Sequence, residues 1–220
     1  MAIPRKVNKD FFKTWSIEMA YVLGFFLADG SLTKSKRGNH YFSFYSADRD
    51  LLLMIREAMG SAHRVARRST ESGTVYRIRI GSKEMFEDLE SLGLTPRKTN
   101  RLVLPNVPDK FFASFVRGYF DGDGNVWMGT INNKRKKPTK VIQVSFTSGC
   151  QEFLECLLRE LKKRGIRGGS LFSVKAKNCQ RLTLSTLDAL KVHEIMYNVP
   201  SKLCLERKKR VFEQFVKMRT

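Results

Sequence analysis

Two stretches of this 220-residue chain follow one pattern, and a chain that repeats itself must build the same unit twice. Tyr21-Val-Leu-Gly24-Phe-Phe-Leu-Ala28-Asp29-Gly30 is matched by Phe115-Val-Arg-Gly118-Tyr-Phe-Asp121-Gly122-Asp123-Gly124. Each is an apolar run, a Gly, three residues, a small residue, then Asp-Gly. The aspartates lie 123 − 29 = 94 positions apart. A second landmark recurs: Leu94-Thr95-Pro96-Arg97-Lys98 as Asn198-Val199-Pro200-Ser201-Lys202, offset by 202 − 98 = 104. The extra ten positions can be located, because Asp29 to Ser46 spans 17 residues and Asp123 to Ser148 spans 25. Eight of the ten therefore fall there, over the polar, basic stretch Asn132 to Lys140, and predict a longer hairpin loop.

Each half reads as helix, two strands, helix, two strands, helix. The first helix is expected from Ile17 to Ala28 with Ser16 as N-cap, and its partner from Lys110 to Asp121 with Asp109 as cap. Tyr41 to Ser46, Tyr76 to Ile80, Ile142 to Thr147 and Arg181 to Ser185 alternate as strands. Leu51 to Met59 and Phe153 to Lys163 have helical period. A final basic helix is expected over Ser201 to Met218. The fold class is α+β: two pseudo-symmetric αββαββα units with antiparallel sheets. Residues 1–93 form the first unit, 94–108 a linker carrying Lys98, and 109–220 the second unit with its C-terminal helix.

Charge narrows the partner. Forty-one Lys and Arg against 21 Asp and Glu leave +20, with a pI near 10.1. Such a surplus opposes compaction unless a polyanion offsets it, which points to nucleic acid. No basic amphipathic helix stands apart to favour a membrane surface. The N-terminus lacks the apolar core of a signal peptide, and Met19 to Ala28 is too short to span a bilayer. Cys150, Cys156, Cys179 and Cys204 form no CxxC pair, and His40, His63 and His193 are scattered. These features predict reduced thiols, an intracellular setting and no structural zinc.

Gly24 with Ala28, and Gly118 with Gly122, place small residues one turn apart on each first helix, where two backbones can approach. Packed together, the helices would set Asp29 and Asp123 side by side at their C-terminal ends. A carboxylate there opposes the helix dipole at a cost of roughly 0.3–1 kcal/mol. Two such carboxylates also repel. A divalent cation reverses both effects, and hard oxygen ligands suit Mg2+, with Mn2+ or Ca2+ able to take its place. Phosphodiester hydrolysis further needs positive charge beside the phosphate, for which the recurrent Pro-x-Lys nominates Lys98 and Lys202.

With these residues in hand, Val22 to Gly30 (VLGFFLADG) and Val116 to Gly124 (VRGYFDGDG) resemble the LAGLIDADG homing endonucleases, in the single-chain form with two motifs. The resemblance covers nearly the whole chain. It implies sheets that form a saddle over double-stranded DNA, with the motif helices as central interface. It implies that Asp29 and Asp123, joined by the carbonyls of Ala28 and Gly122, bind metal beside the scissile phosphates. Cleavage of both strands would leave short staggered ends. Two departures stand out. The sixth motif position is Leu27 in one copy and Asp121 in the other, and Ser46 and Ser148 stand where a more polar, water-organising residue is often found. No N-terminal Cys or Ser and no terminal His-Asn are present, so a free-standing enzyme rather than an intein is expected. An RNA-splicing maturase, for which RNA is a second partner, and a DNA-binding protein without cleavage are the alternatives on this scaffold.

Strand alternation nominates the groove-reading side chains. In the first unit these are Ser31, Thr33, Ser35, Tyr41, Ser43, Tyr45, Arg77 and Arg79. In the second they are Asn125, Trp127, Gln143, Ser145, Thr147, Arg181 and Thr183. Arg suits guanine, and Asn or Gln adenine. The basic stretches Lys34 to Arg37 and Lys134 to Lys137 would meet phosphates or stay solvated rather than read bases. Because the two sets differ, the target is expected to be long and only partly palindromic, bound by a monomer.

Overall fold

The computed structural model describes residues 5–71, 73–96, 102–132, 137–174, 176 and 178–219. The first unit comprises α1 (Ile17–Asp29), β1 (Gly30–Lys34), β2 (His40–Ser46), α2 (Arg49–Ala58), β3 (Val65–Thr70), β4 (Gly73–Gly81) and α3 (Lys83–Ser91). The second comprises α4 (Asp109–Asp123), β5 (Gly124–Ile131), β6 (Thr139–Ser148), α5 (Gln151–Lys163), β7 (Ser170–Val174), β8 (Cys179–Ser185) and α6 (Thr186–Tyr197), followed by α7 (Glu206–Lys217). The fold is α+β, with two four-stranded antiparallel sheets ordered β1-β2-β4-β3 and β5-β6-β8-β7. Identical strand order in both sheets is the repeat seen in three dimensions.

Alternation decides which face of each sheet is dry. Phe42, Phe44, Ile78 and Ile80 point into the core, as do Ile142, Val144, Phe146, Leu182 and Leu184 across the second sheet. The intervening residues carry the polar side chains, as period-two patterning requires. Over the dry faces lie α1 and α4, both buried along most of their length. They also press on each other. A methyl added at Gly24 would overlap the Phe115 carbonyl oxygen, and one at Gly118 would overlap the Tyr21 carbonyl oxygen. This reciprocal backbone contact is what the paired small residues make room for.

Local chemistry sets the ends. The Ser16 hydroxyl accepts from the Met19 N–H at 3.0 Å, capping α1. Asp109 proves to be the first residue of α4 rather than its cap, because Pro108 precedes the helix and Asp109 pairs with Arg164 instead. The inserted residues go mostly into strand, not loop: β5 and β6 have 8 and 10 residues against 5 and 7 in β1 and β2. The last helix begins at Glu206 rather than Ser201, since Leu203, Cys204 and Leu205 are buried in an extended approach to it. Among the described residues no helix is long and apolar enough to cross a membrane.

Candidate active site and nucleic-acid interface

Asp29 ends α1 and Asp123 ends α4, and both are half-buried. A side chain added at Gly122 would run into the Ala28 methyl and lie 3.2 Å from Asp29 Oδ2, so the Asp29 carboxylate rests beside the end of α4. The phenol of Tyr119, buried and donating to the Thr147 carbonyl at 2.7 Å, is raised well above its ordinary pKa by burial and then by the charges of Asp123 and Asp29. Both carboxylates thus act on one side chain. Gly30 and Gly124 follow them in extended backbone (φ −101° and −89°), not in the left-handed turn a terminal glycine often adopts. What requires glycine is space: a side chain would strike Phe26 in one copy and Phe120 in the other.

The basic group the structure brings here is Lys208. Its ammonium is buried and donates to the carbonyls of Phe120 (2.7 Å), Asp121 (2.9 Å), Gly122 (3.4 Å) and Gly124 (2.6 Å). These include carbonyls left unpaired by the end of α4, where a cation also meets the negative end of the dipole. Burial lowers its pKa to about 8, against the opposing pull of Asp121, Asp29 and Asp123. The sequence held a signal for it. Lys208, Phe212 and Phe215 fall at helical spacing, and all three are the buried residues of α7. A charged residue on an apolar stripe marks a buried cation.

Asp121 lies beside it. One carboxylate oxygen accepts from the Tyr21 hydroxyl at 2.7 Å and the Leu205 N–H at 2.8 Å, while the other is buried without a partner. Burial pushes its pKa up to about 6. Arg117, buried one turn earlier, donates to the carbonyls of Met196 and Val199 at 3.1 and 3.2 Å. Asp121 thus ties the motif helix to the segment entering α7, and Arg117 ties it to the end of α6. Leu27, its counterpart, is simply core.

Other nominated residues are placed differently. Lys98 lies outside the described residues. Lys202 is exposed and lines a cavity of about 630 Å³ with Glu18, Met54, Glu57 and Leu203. Glu18 is in the first turn of α1, roughly 16 Å along the helix from Asp29. The structure therefore does not bring Lys202 to the paired aspartates. Ser46 and Ser148 accept the N–H groups of Asp48 and Cys150, each at 3.0 Å, so their hydroxyls shape the start of the next helix in both units.

Strand register gathers the sheet residues. Ser31, Ser43 and Arg79 stand in one row, Thr33 and Tyr41 in the next, and Tyr45 and Arg77 in a third. The Arg79 guanidinium stacks on Tyr41 at 3.8 Å. Burial pushes the Tyr45 phenol up, but hydrogen bonds with Ser31, Arg77 and Ser43 outweigh it and leave the pKa lowered. Ser35 is an exception, lying beyond β1 in a turn where its hydroxyl accepts from the Asn39 N–H. In the second sheet Asn125, Ser145 and Thr183 share a row, Trp127 pairs with Gln143, and Thr147 with Arg181. All but Thr147 line one cavity of about 480 Å³, with Ser170 and Phe172 added from β7. Arg77 and Arg181 are pseudo-symmetric, and each has its Nε buried without a partner. Lys34 pairs with Glu90 at 3.2 Å and so is already engaged, while residues 134–136 lie outside the described residues.

Comparison with known proteins agrees with this architecture. Residues 16–92 match the family model of the LAGLIDADG-like domain. The chain is 28% identical over 189 residues to homing endonuclease I-ApeI of Aeropyrum pernix, covering 80% of each. Residues 16–92 therefore carry a LAGLIDADG-like domain, and the chain as a whole is similar to homing endonucleases. It is also 28% identical over 222 residues to the DNA-directed RNA polymerase subunit Rpo1C of Methanocaldococcus jannaschii, spanning 98% of this chain but only 22% of that one. The fold is similar to that of the LAGLIDADG meganuclease I-AabMI solved with uncleaved DNA, at TM-score 0.64 and 14% identity over 90% of this chain and 88% of that one.

The donor set at the two motif ends fits a hard divalent cation. Among the described residues no three His, Cys, Asp or Glu side chains gather, so a closed all-protein cage is not what is built. Two carboxylates and neighbouring carbonyls are hard oxygen donors that leave room for water and phosphate. Gly122 lets the Ala28 methyl and the Asp29 carboxylate come close against the end of α4.

Proposed function

We propose that the chain is a site-specific DNA endonuclease that hydrolyses both strands of a long, partly non-palindromic duplex and leaves short staggered ends. One observation carries this reading: the reciprocal contact of α1 and α4 brings Asp29 beside Gly122 and gives Asp29 and Asp123 a common electrostatic neighbourhood. Bringing two carboxylates together at two helix ends is unfavourable without a cation. Asp29, Asp123 and the carbonyls of Ala28 and Gly122 would hold Mg2+, or Mn2+ or Ca2+ in its place. When bound, the cation supplies charge for the phosphate oxygens and eases deprotonation of water.

The protein's own groups do the rest. Lys208 fixes the end of α4 and adds positive charge on the side of Asp123. Tyr119, held protonated by its surroundings, orients the second strand of the sheet against α4 through Thr147. The two polar sheet faces hold the duplex in register, and the +20 charge draws it in. Both sites sit on one chain, so a monomer suffices.

A randomised duplex library incubated with the protein and Mg2+, followed by sequencing of the cut ends, would yield the target. On that target Asp29→Asn and Asp123→Asn should bind within a few-fold of the parent yet lose at least about 100-fold in double-strand cleavage. Retained cutting by both variants, or lost binding with retained cutting, would overturn the reading.

A further inference from the structure

The second sheet carries two large side chains that its polar face does not explain. Trp127 on β5 and Phe172 on β7 are 47% and 46% exposed, whereas most phenylalanines among the described residues are buried in the core. They stand on the two outer strands of the sheet and border the same cavity as Gln143, Thr183 and Arg181. Trp127 is also held in place. A side chain added at Gly129, two residues along the same strand, would overlap the indole ring, so Gly129 lets the ring lie along the sheet. Phe172 pairs across the strands with Arg181. The first sheet has no exposed aromatic of this kind among its described residues, since Tyr41 lies under Arg79 and Tyr45 is hydrogen-bonded to its neighbours.

We infer that Trp127 and Phe172 read thymine methyl groups in the half-site bound by the second unit. In the major groove the thymine 5-methyl is the one bulky apolar group set among the polar donors and acceptors of the bases, and an aromatic face can distinguish it. Arg181 beside Phe172, and Gln143 beside Trp127, supply the polar contacts to neighbouring bases. The inference rests on the proposed DNA reading and sharpens it by giving the two half-sites different chemistry.

The test uses the duplex selected by the library and a copy in which deoxyuridine replaces thymidine in one half-site at a time. Uracil differs from thymine only by the methyl. The parent protein should bind the copy substituted in one half about fourfold more weakly per contacted thymine, the ratio that burying one methyl gives. The other half should be indifferent. In Trp127→Ala and Phe172→Ala, both changes at exposed positions, the thymine-to-uracil ratio should fall to one at distinct base pairs. Equal binding of thymine and uracil by the parent, or ratios unchanged in both variants, would refute the inference while leaving the endonuclease reading intact. No specific duplex binding by the parent would instead refute that underlying reading.

Discussion

The two units of this chain agree where the backbone must be placed and differ where something must be recognised or held. Gly24 and Gly118 open the same reciprocal contact, Gly30 and Gly124 clear the same phenylalanine, and Ser46 and Ser148 start the next helix in the same way. Against this, Leu27 stands in one copy where Asp121 stands in the other at the sixth motif position, and Thr33 and Ala66 hold the register places of the exposed Trp127 and Phe172. Shared features therefore belong to scaffold and chemistry, and divergent ones to specificity and to the anchoring of α7. Changes at shared positions should damage both halves, and changes at divergent positions only one.

The largest effect should come from the shared helix contact. Gly24→Val and Gly118→Val each force branched side chains into a facing backbone that cannot swing aside. Each should cost at least about 3 kcal/mol, with the pair failing to fold. Urea denaturation of the single variants gives the measure, and near-parental stability in either would mean that α1 and α4 do not meet at these positions.

Next comes the buried acid present in one unit alone. With its pKa near 6 in the folded protein and an ordinary value of 3.8, Asp121 binds its proton more tightly folded than unfolded. Its contribution is fully present below about pH 4 and is lost as pH rises through 6, by at most roughly 3 kcal/mol. Asp121→Asn keeps an acceptor for the Tyr21 hydroxyl and the Leu205 N–H but cannot titrate. Melting temperatures from pH 4 to 7 should fall for the parent relative to this variant, and parallel curves would remove the buried carboxylate from the account.

A smaller effect tests the pseudo-symmetric arginines. Arg77→Ala and Arg181→Ala should each weaken binding of the selected target by about 1–3 kcal/mol, each relaxing base preference in its own half-site. Equal relaxation of both halves by one substitution would show that the sheets do not read separate half-sites.

The features legible in the sequence were those that repetition and period impose. A duplicated Gly-xxx-small-Asp-Gly is enough to place two helices in contact and two carboxylates at their ends, and alternation is enough to sort each strand into a dry and a polar face. Position along the chain carried less. Lys202 recurs with Lys98 in sequence, yet an extended, buried segment from Leu203 to Leu205 carries the chain on to α7, where Lys208 reaches the site. That relation crosses from one helix to another and has no repeat to reveal it. Asp121 was visible as a departure from its partner, but its role depends on the Leu205 N–H, which only folding supplies.

The smallest predicted effect follows from the same relation and separates the two lysines. Lys202 is exposed at the far end of α1 from Asp29, so Lys202→Ala should leave cleavage of both strands within about twofold and stability within roughly 0.5 kcal/mol. Lys208→Met keeps an unbranched stem, one atom shorter, but strips the donor from four carbonyls at the end of α4. It should cost about 1–3 kcal/mol in stability and slow cutting of one strand more than the other, because Lys208 holds the helix that carries Asp123 and not the one that ends at Asp29. Strand-resolved cleavage of an end-labelled target reads both variants at once. A large loss in Lys202→Ala beside a silent Lys208→Met would show that recurrence in the sequence, rather than position in the fold, had identified the basic residue of the site.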